Sequence, residues 1–180
     1  MNTFTKTLIA SGIAALSINA QAEGSSPFTY LEYSVGAIDY DSEFIDDGDY
    51  SALAGSLELP FLILPLLSLE LVDYDDFDVT KIGTGTYLQF EQSSYLYGLV
   101  HYNDYEDDID SDFSLRVGFR HYFTDSVVAN ASYTTYTDHD FLDETKLSVG
   151  YYFHPNFSVS ANYALFDDFN IASVTARLSF

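Results

Sequence analysis

Ten segments of the chain alternate between apolar and polar residues, and a two-residue period predicts β-strands with two unlike faces. Most of them have about ten residues, the length that a tilted strand needs to cross a lipid bilayer. They cover residues 29–40, 50–59, 66–74, 79–91, 95–103, 112–123, 126–137, 145–154, 156–166 and 171–180. Because an open sheet edge would leave backbone groups unpaired in hydrocarbon, the strands must close on themselves. The pattern therefore predicts an all-β fold: a closed antiparallel up-and-down transmembrane β-barrel of ten strands.

Residues 1–22 have the order of a secretory signal peptide. Lys6 precedes an apolar stretch at 8–18, and the small-residue sequence "AQA" follows at 20–22. The apolar stretch is too short for a spanning helix, and no run of 18 or more apolar residues occurs elsewhere. We therefore expect residues 1–22 to be removed and residues 23–180 to form one barrel domain. The chain has no Cys, so an exported domain must be held together without disulfides.

The composition combines a high aromatic content with a large negative charge. Residues 1–180 include 16 Tyr and 15 Phe beside a formal net charge of −22. A soluble acidic domain rarely carries so many aromatic side chains, whereas aromatic belts at two membrane interfaces require them. The same aromatics exclude an intrinsically disordered acidic chain. Nucleic-acid binding is disfavoured because phosphate contacts need Lys and Arg, and the surface has few of them.

The connections between the segments alternate in kind. Those after even-numbered segments are short or turn-like ("PFLILP", "QSS", "TDS", "HPN"), whereas those after odd-numbered segments, counted with the segment-end residues Asp39, Asp73 and Asp112, hold 22 of the 28 acidic residues. In an up-and-down meander all odd connections lie at one end, so the sequence predicts an acidic extracellular rim and short periplasmic turns. Such a rim attracts cations, and its carboxylates are hard ligands for weak contacts with divalent ions. The candidate positions for these contacts are Asp73, Asp75, Asp76, Asp78, Asp108, Asp110 and Asp112.

Neither a dedicated metal site nor a cofactor is expected. No acidic stretch has the Gly turn and terminal Glu of a Ca²⁺ loop, and four scattered His without Cys give no transition-metal site. The alternative interpretation of the rim is a solvated, strongly charged surface that resists aggregation.

Charged residues of the strands share one face. When the apolar parity of each segment is assigned to lipid, every Lys and Arg of residues 23–180 falls on the other parity, where four Glu also lie. An outward Lys or Arg near the midplane would cost about 2 to 4 kcal/mol, so the polar face is assigned to the barrel lumen. Glu32 and Arg177 should approach each other where the last strand closes against the first. The expected lumen charge network is Glu32, Glu58, Glu70, Lys81, Glu91, Arg116, Arg120, Lys146 and Arg177.

The chain ends in "TARLSF", and this alternating last strand with a terminal Phe resembles the C-terminal signature of bacterial outer-membrane barrels. With the signal peptide and the hairpins, it resembles the small porin-like and outer membrane protein A-like β-barrel proteins. The resemblance implies the outer membrane of a Gram-negative bacterium, contact with its lipid and lipopolysaccharide, and Phe180 as the signal for the barrel-assembly machinery. Many members have eight strands, which is the alternative count. If the count of ten strands is wrong by one hairpin, the error should lie around "LELPFLILPLLSLEL", where Pro60 and Pro65 interrupt an apolar run.

Three classes of function fit these observations. The first is a structural barrel or a narrow porin-like channel, according to whether the lumen charges form a plug or line a water path. The second is surface adhesion or ligand binding through the Asp- and Tyr-rich loops. The third and weakest is an omptin-like hydrolase, with Asp73 and Asp75 facing the loop residues 138–140. Our expectation is that the chain is not an enzyme.

Overall fold

Ten antiparallel strands close into a barrel in the computed structural model, which describes residues 26–40, 47–59, 62–75, 77–106 and 110–180. Each strand pairs with its neighbours in the sequence, and the last strand pairs with the first. A short 3₁₀ helix, Asp140–Leu142, precedes the eighth strand. The strands are β1 Tyr30–Tyr40, β2 Gly48–Glu58, β3 Leu66–Tyr74, β4 Phe77–Gln89, β5 Ser94–Tyr105, β6 Asp112–Tyr122, β7 Val127–Tyr136, β8 Glu144–His154, β9 Phe157–Leu165 and β10 Phe169–Ser179.

The expected count of ten strands is confirmed, and the eight-strand alternative is wrong. The two strands on either side of the apolar run with Pro60 and Pro65, where an error in the count was expected, are regularly paired: β2 pairs with β3 from Tyr50↔Tyr74 to Glu58↔Leu66. Pro65 lies just outside β3, where its missing N–H removes no ladder hydrogen bond. The proposed signal peptide lies outside the described residues, as do parts of three acidic connections. Among the described residues, no helix has the length and apolarity to span a membrane.

The barrel has two unlike ends. One end, here the turn end, carries tight connections such as residues 123–126 and 155–156. The other end, here the rim end, carries the acidic connections after β1, β3, β5, β7 and β9. The alternation expected from the sequence is therefore present, since consecutive hairpins of a meander place every second connection at the same end.

The outer face of the barrel is apolar. Along β8 the exposed fractions of Leu147, Val149 and Tyr151 are 52%, 60% and 49%, while Gly150 between them is buried. Exposed aromatic side chains lie toward both ends of the outer face. Those toward the rim end include Tyr102, Phe113 and Tyr133, and those toward the turn end include Phe90, Phe123, Phe153 and Phe157.

The inner face is layered from one end to the other. Toward the rim end it is apolar and aromatic, and we call this set the rim-end layer: Ile38, Tyr50, Ala52, Val72, Tyr74, Val79, Tyr105, Tyr136, Leu142, Ala164, Phe166, Phe169 and Ile171. At the turn end Phe28 enters the barrel and packs against Tyr87, Tyr95 and Tyr97, and these four residues are the turn-end plug. Charged side chains occupy the level between. Most of the charged side chains on the inner face therefore lie in the middle of the barrel.

Candidate functional site

A polar cavity of about 100 Å³ lies inside the barrel between the rim-end layer and the turn-end plug. Seven of the nine residues expected in the lumen charge network line it, together with Glu144, which lies in the acidic connection just before the eighth predicted segment. The seven are Glu32, Glu70, Lys81, Arg116, Arg120, Lys146 and Arg177. Strand parity alone placed these side chains on one face, and barrel closure turns that face inward.

One ion pair crosses the lumen from β6 to β3. Arg116 Nη1 and Nη2 donate to Glu70 Oε1 and Oε2 at 2.5 and 3.1 Å, and Arg116 Nε donates to Thr134 Oγ1 at 3.1 Å. A bidentate guanidinium–carboxylate pair fixes both the distance and the orientation of the two groups. Because β4 and β5 lie between β3 and β6 in the sheet, this pair connects two strands that are not hydrogen-bonded to each other.

A second ion pair closes the seam between β1 and β10. Glu32 and Arg177 are register partners, and Arg177 donates from Nη2 at 2.6 Å and from Nε at 2.8 Å to Glu32 Oε2. The guanidinium carbon also lies 4.0 Å from the centre of the Tyr30 ring. The approach of Glu32 and Arg177 expected from the sequence is confirmed.

The other three basic side chains of the lumen have no carboxylate oxygen within 4.0 Å among the described residues. Lys81 Nζ donates to Tyr136 OH at 2.6 Å. Arg120 donates to the backbone oxygen of Pro27 and lies 5.0 Å from the centre of the Phe28 ring. Lys146 makes no hydrogen bond to a described residue, and its charged neighbours include Glu144 and Glu32.

His101 is a lumen residue that the sequence analysis left unassigned. Its side chain is fully buried, and Nε2 lies 3.1 Å from Ser68 Oγ and 3.8 Å from Glu70 Oε1. Its Nδ1 has no hydrogen-bond partner among the described residues. Gly83 lies directly opposite in β4, and a Cβ there would overlap the His101 ring. Two features of the sequence could have indicated that His101 faces the lumen: it shares one face of β5 with Asn103, and its register partner in β4 is a Gly, which leaves space for the ring.

Two members of the expected charge network lie elsewhere. Glu91 is exposed in the turn after β4, with a φ of 96°, so it does not face the lumen. The predicted segment was too long at this end, because β4 ends at Gln89. Glu58 points toward the turn end, where Tyr87 donates to Oε1 at 2.7 Å and Ser26 donates to Oε2.

One of the seven candidate positions at the acidic rim is a buried carboxylate. Asp112 was expected at the surface but is the first inward residue of β6 and is 2% exposed. Its Oδ1 accepts hydrogen bonds from Asn103 at 2.7 Å and Tyr105 at 3.0 Å. Of the other expected positions, Asp73, Asp75 and Asp110 are exposed and Asp78 is half-buried, while Asp76 and Asp108 lie outside the described residues. No group of three potential metal ligands occurs in the described part of the chain.

The connection between β7 and β8, residues 137–143, folds over the rim end of the lumen, and we call it the lid. Leu142 of the lid is 2% exposed within the rim-end layer. His139 stacks on Tyr105 with ring centres 4.9 Å apart, and its Nδ1 lies 3.9 Å from Asp112 Oδ2. Neither of these two buried atoms has a hydrogen-bond partner among the described residues. His139 thus packs into the barrel mouth, and no hydrogen bond or ion pair joins its described atoms to Asp73 or Asp75 as a hydrolase site would require.

The terminal residue takes part in closure. Phe180 N donates to the backbone oxygen of Thr29 at 3.2 Å, which extends the β1–β10 seam beyond its last strand pair. Its role as an assembly signal is an expectation from the family resemblance.

Comparison with known proteins finds similarity in structure and none in sequence: no protein-family model and no curated protein sequence matches the chain. The KdgM porin superposes with a TM-score of 0.56 at 12% identity, over 84% of this chain and 99% of the porin. Omp33 of Acinetobacter baumannii superposes with a TM-score of 0.43 at 10% identity, over 85% of this chain and 98% of Omp33. Ail of Yersinia pestis superposes with a TM-score of 0.35 at 13% identity, over 87% of this chain and 98% of Ail. The first similarity shows the fold alone, and the fold of this chain is that of the outer-membrane β-barrel proteins.

Proposed function

We propose that the chain is an integral barrel of a Gram-negative outer membrane with a closed lumen, and that it acts as a structural membrane protein. The observation that carries this proposal is the packing of the rim-end layer and the turn-end plug on either side of the polar cavity. An open porin would need a continuous wet path, whereas here aromatic rings fill the lumen above and below the charged level.

The outer face supports the location in a membrane. Every strand except β2 has at least one exposed Leu, Ile, Val, Phe or Tyr side chain. Soluble monomers rarely expose contiguous apolar patches larger than a few hundred Å². All the strand-borne Lys and Arg face the lumen, as expected where an outward charge would meet hydrocarbon.

The acidic rim suggests the partners of such a barrel. Carboxylates at the outer mouth would hold divalent cations that bridge to lipopolysaccharide phosphates, without a built metal site. The terminal Phe180 would be recognised by the barrel-assembly machinery. Both partners are proposals drawn from charge and from the terminal sequence, and neither requires a cofactor or nucleic acid.

A narrow porin-like channel is the second candidate function. It is favoured by the charged cavity, which already holds room for several water molecules, and by the similarity in fold to the KdgM porin. That porin has also been solved in complex with disordered oligogalacturonate. For this chain to conduct, Phe28 and the lid would both have to leave the lumen.

Single-channel conductance in planar bilayers tests the proposal. We expect the refolded wild-type barrel to be silent, and we expect a variant that combines Phe28→Ala with Leu142→Ser to produce reproducible conductance steps. The matched control replaces Phe28 as before and Phe141, which is 44% exposed on the lid, by Ser. Folding of each variant is verified by far-UV circular dichroism and by its heat-modifiable migration in gels.

The two candidate functions give opposite results for the wild-type protein. Silence of the wild type with conductance of the Phe28→Ala and Leu142→Ser variant supports the closed structural barrel. Reproducible steps from the wild type, with cation preference in a salt gradient, would refute it and favour the channel. A folded but silent double variant would show that the charged level itself blocks the lumen.

A further inference from the structure

Two buried polar atoms face each other where the lid covers the barrel mouth. His139 Nδ1 and Asp112 Oδ2 lie 3.9 Å apart, and neither has a hydrogen-bond partner among the described residues. The two side chains are only 12% and 0% exposed. A separation of 3.9 Å is too long for a hydrogen bond, whichever nitrogen of the neutral imidazole carries the proton. With a neutral ring, the closed lid therefore leaves two polar atoms unsatisfied away from water, which is costly.

Both groups are held in position by other contacts. Asp112 is the first residue of β6, and its other oxygen, Oδ1, accepts hydrogen bonds from Asn103 and Tyr105. The His139 ring stacks on Tyr105, with ring centres 4.9 Å apart, and on Phe141, with ring centres 5.9 Å apart. A movement of about 1 Å would bring Nδ1 within the range of a charge-assisted hydrogen bond to Oδ2.

The charged groups near His139 favour a positive charge on its ring. Among the described residues, no Lys or Arg lies within 4.0 Å of a carboxylate oxygen of Asp112 or of the three Asp of the lid. An imidazolium at this position would meet an unpaired carboxylate, whereas a neutral ring leaves carboxylates on both sides of it to repel one another. The titratable groups on the surrounding elements are Tyr105 of β5, Asp112 of β6, Tyr136 of β7 with Lys81 of β4 bonded to its hydroxyl, and Asp138, Asp140 and Asp143 of the lid.

We propose that His139 and Asp112 form a pH-sensitive latch that holds the lid over the barrel mouth. Histidine changes its charge between pH 5 and 8, whereas exposed carboxylates stay ionised above about pH 5. In the acidic part of that interval the imidazolium donates from Nδ1 to Asp112 Oδ2, and the lid is held closed. As the pH rises and the ring loses its proton, this contribution is lost and the lid opens more often. The latch depends on the contacts of the lid alone, and it holds whether or not the lumen conducts ions.

Cleavage of the lid by thermolysin measures how often the lid opens, because a segment packed into the barrel mouth does not enter a protease site. The cleavage rate of the refolded barrel is divided by that of a free peptide containing residues 137–143 at the same pH, which removes the pH dependence of the protease. We expect this ratio to be about tenfold lower at pH 5.5 than at pH 8, equivalent to about 1.4 kcal/mol. An equal ratio at the two pH values would overturn the proposal.

Two variants, each compared with a peptide of its own sequence, separate the latch from other titrations. His139→Phe keeps a ring to stack on Tyr105 but cannot be protonated. Asp112→Asn removes the charge and keeps an acceptor oxygen for Asn103 and Tyr105. Both should give equal ratios at pH 5.5 and pH 8. His154→Gln, exposed at the turn end, is the matched control and should keep the tenfold response. A tenfold response that persists in either folded latch variant would refute the latch.

The distance between the two atoms gives an independent test. In crystals of the full barrel at pH 5.5, His139 Nδ1 and Asp112 Oδ2 should lie about 2.7 to 2.9 Å apart, as in other charge-assisted hydrogen bonds. At pH 8 the contact should be longer than a hydrogen bond. A separation beyond hydrogen-bond range at pH 5.5 would contradict the proposal.

Discussion

Breaking the seam ion pair should destabilise the barrel more than any exposed charge change does. We consider Glu32→Gln, Arg177→Met and the double variant. The pair closes β1 against β10 with two hydrogen bonds to one carboxylate oxygen, and the side chains of Arg177 and Glu32 are only 19% and 17% exposed. Removing one partner leaves the other charge in the lumen without its counter-ion.

The expected magnitudes follow from these contacts. A hydrogen bond to a charged group contributes about 1.5 to 3 kcal/mol, and loss of one partner of a fully buried pair costs about 3 to 5 kcal/mol. Because both side chains keep some exposure to the cavity, we expect about 2 to 3 kcal/mol for Glu32→Gln. Arg177→Met also loses the contact with the Tyr30 ring, so about 3 to 4 kcal/mol is expected. The double variant should cost about 4 kcal/mol, which gives a coupling energy of about 2 kcal/mol.

The assay is urea unfolding of the refolded barrel in lipid vesicles, approached from both the folded and the unfolded side. Far-UV circular dichroism is the signal, since the chain has no Trp. The control cycle combines Arg177→Met with Glu91→Gln, whose carboxylate is exposed in a turn, and its coupling energy should be near zero. Additive costs for Glu32→Gln and Arg177→Met would refute the reasoning, because the pair would then contribute nothing beyond the separate side chains.

Three further outcomes are expected. Gly83→Ala should destabilise the barrel by about 1 to 3 kcal/mol, because its Cβ would overlap the ring of His101. A Cβ at Gly98 would make only an ordinary contact, 3.9 Å from the backbone oxygen of Arg116, so Gly98→Ala should change the unfolding free energy by under about 0.5 kcal/mol. Leu142→Ala should open the lid to protease at a rate that Phe141→Ala, on the exposed side of the lid, does not reach. Calcium should raise the thermal midpoint of the barrel more than sodium chloride of equal ionic strength, and a chelator should reverse the shift, because divalent ions screen the carboxylates of the acidic rim. Equal stability of the two Gly variants, equal cleavage of the two lid variants, or equal effects of the two salts would contradict these expectations in turn.

The strands and the seam could be predicted from the sequence because a period of two determines which residues share a face. Once a barrel must close, the last strand has no partner other than the first, and Glu32 and Arg177 stand at matching distances from the turn end. Neither step needs knowledge of side-chain packing.

The rim-end layer could not be predicted in this way. Ile38, Val72, Val79 and Ile171 have inward parity although they are apolar, and assigning the apolar parity to lipid and the other to water leaves such residues unexplained. Ile38 is the register partner of Ile171, and Val72 is the register partner of Val79; these two pairs are buried together with residues of the rim-end layer from other strands around the lumen. That arrangement depends on the curvature and stagger of the whole sheet rather than on any local period.

The position of Asp112 was missed for a related reason. Its neighbours in the sequence are acidic loop residues, so the composition of the segment indicated a solvated rim. The strand, however, begins at this residue and turns its side chain inward beside Asn103 and Tyr105. The lid then covers it, and a connection that folds back over a barrel has no signature in hydrophobic alternation.

The seam between the chain ends also has a consequence for assembly. Tyr30 pairs with Ser179, and Phe180 N donates to the backbone oxygen of Thr29, so both edges of the sheet stay open until β10 has paired with β1. Contacts between residues so distant in sequence form slowly, and open edges invite pairing between molecules. Every copy carries a net charge of −22, and this repulsion keeps two unclosed chains apart. The acidity of the chain would then act during folding, by preventing the open strand edges of one unclosed barrel from pairing with those of another molecule.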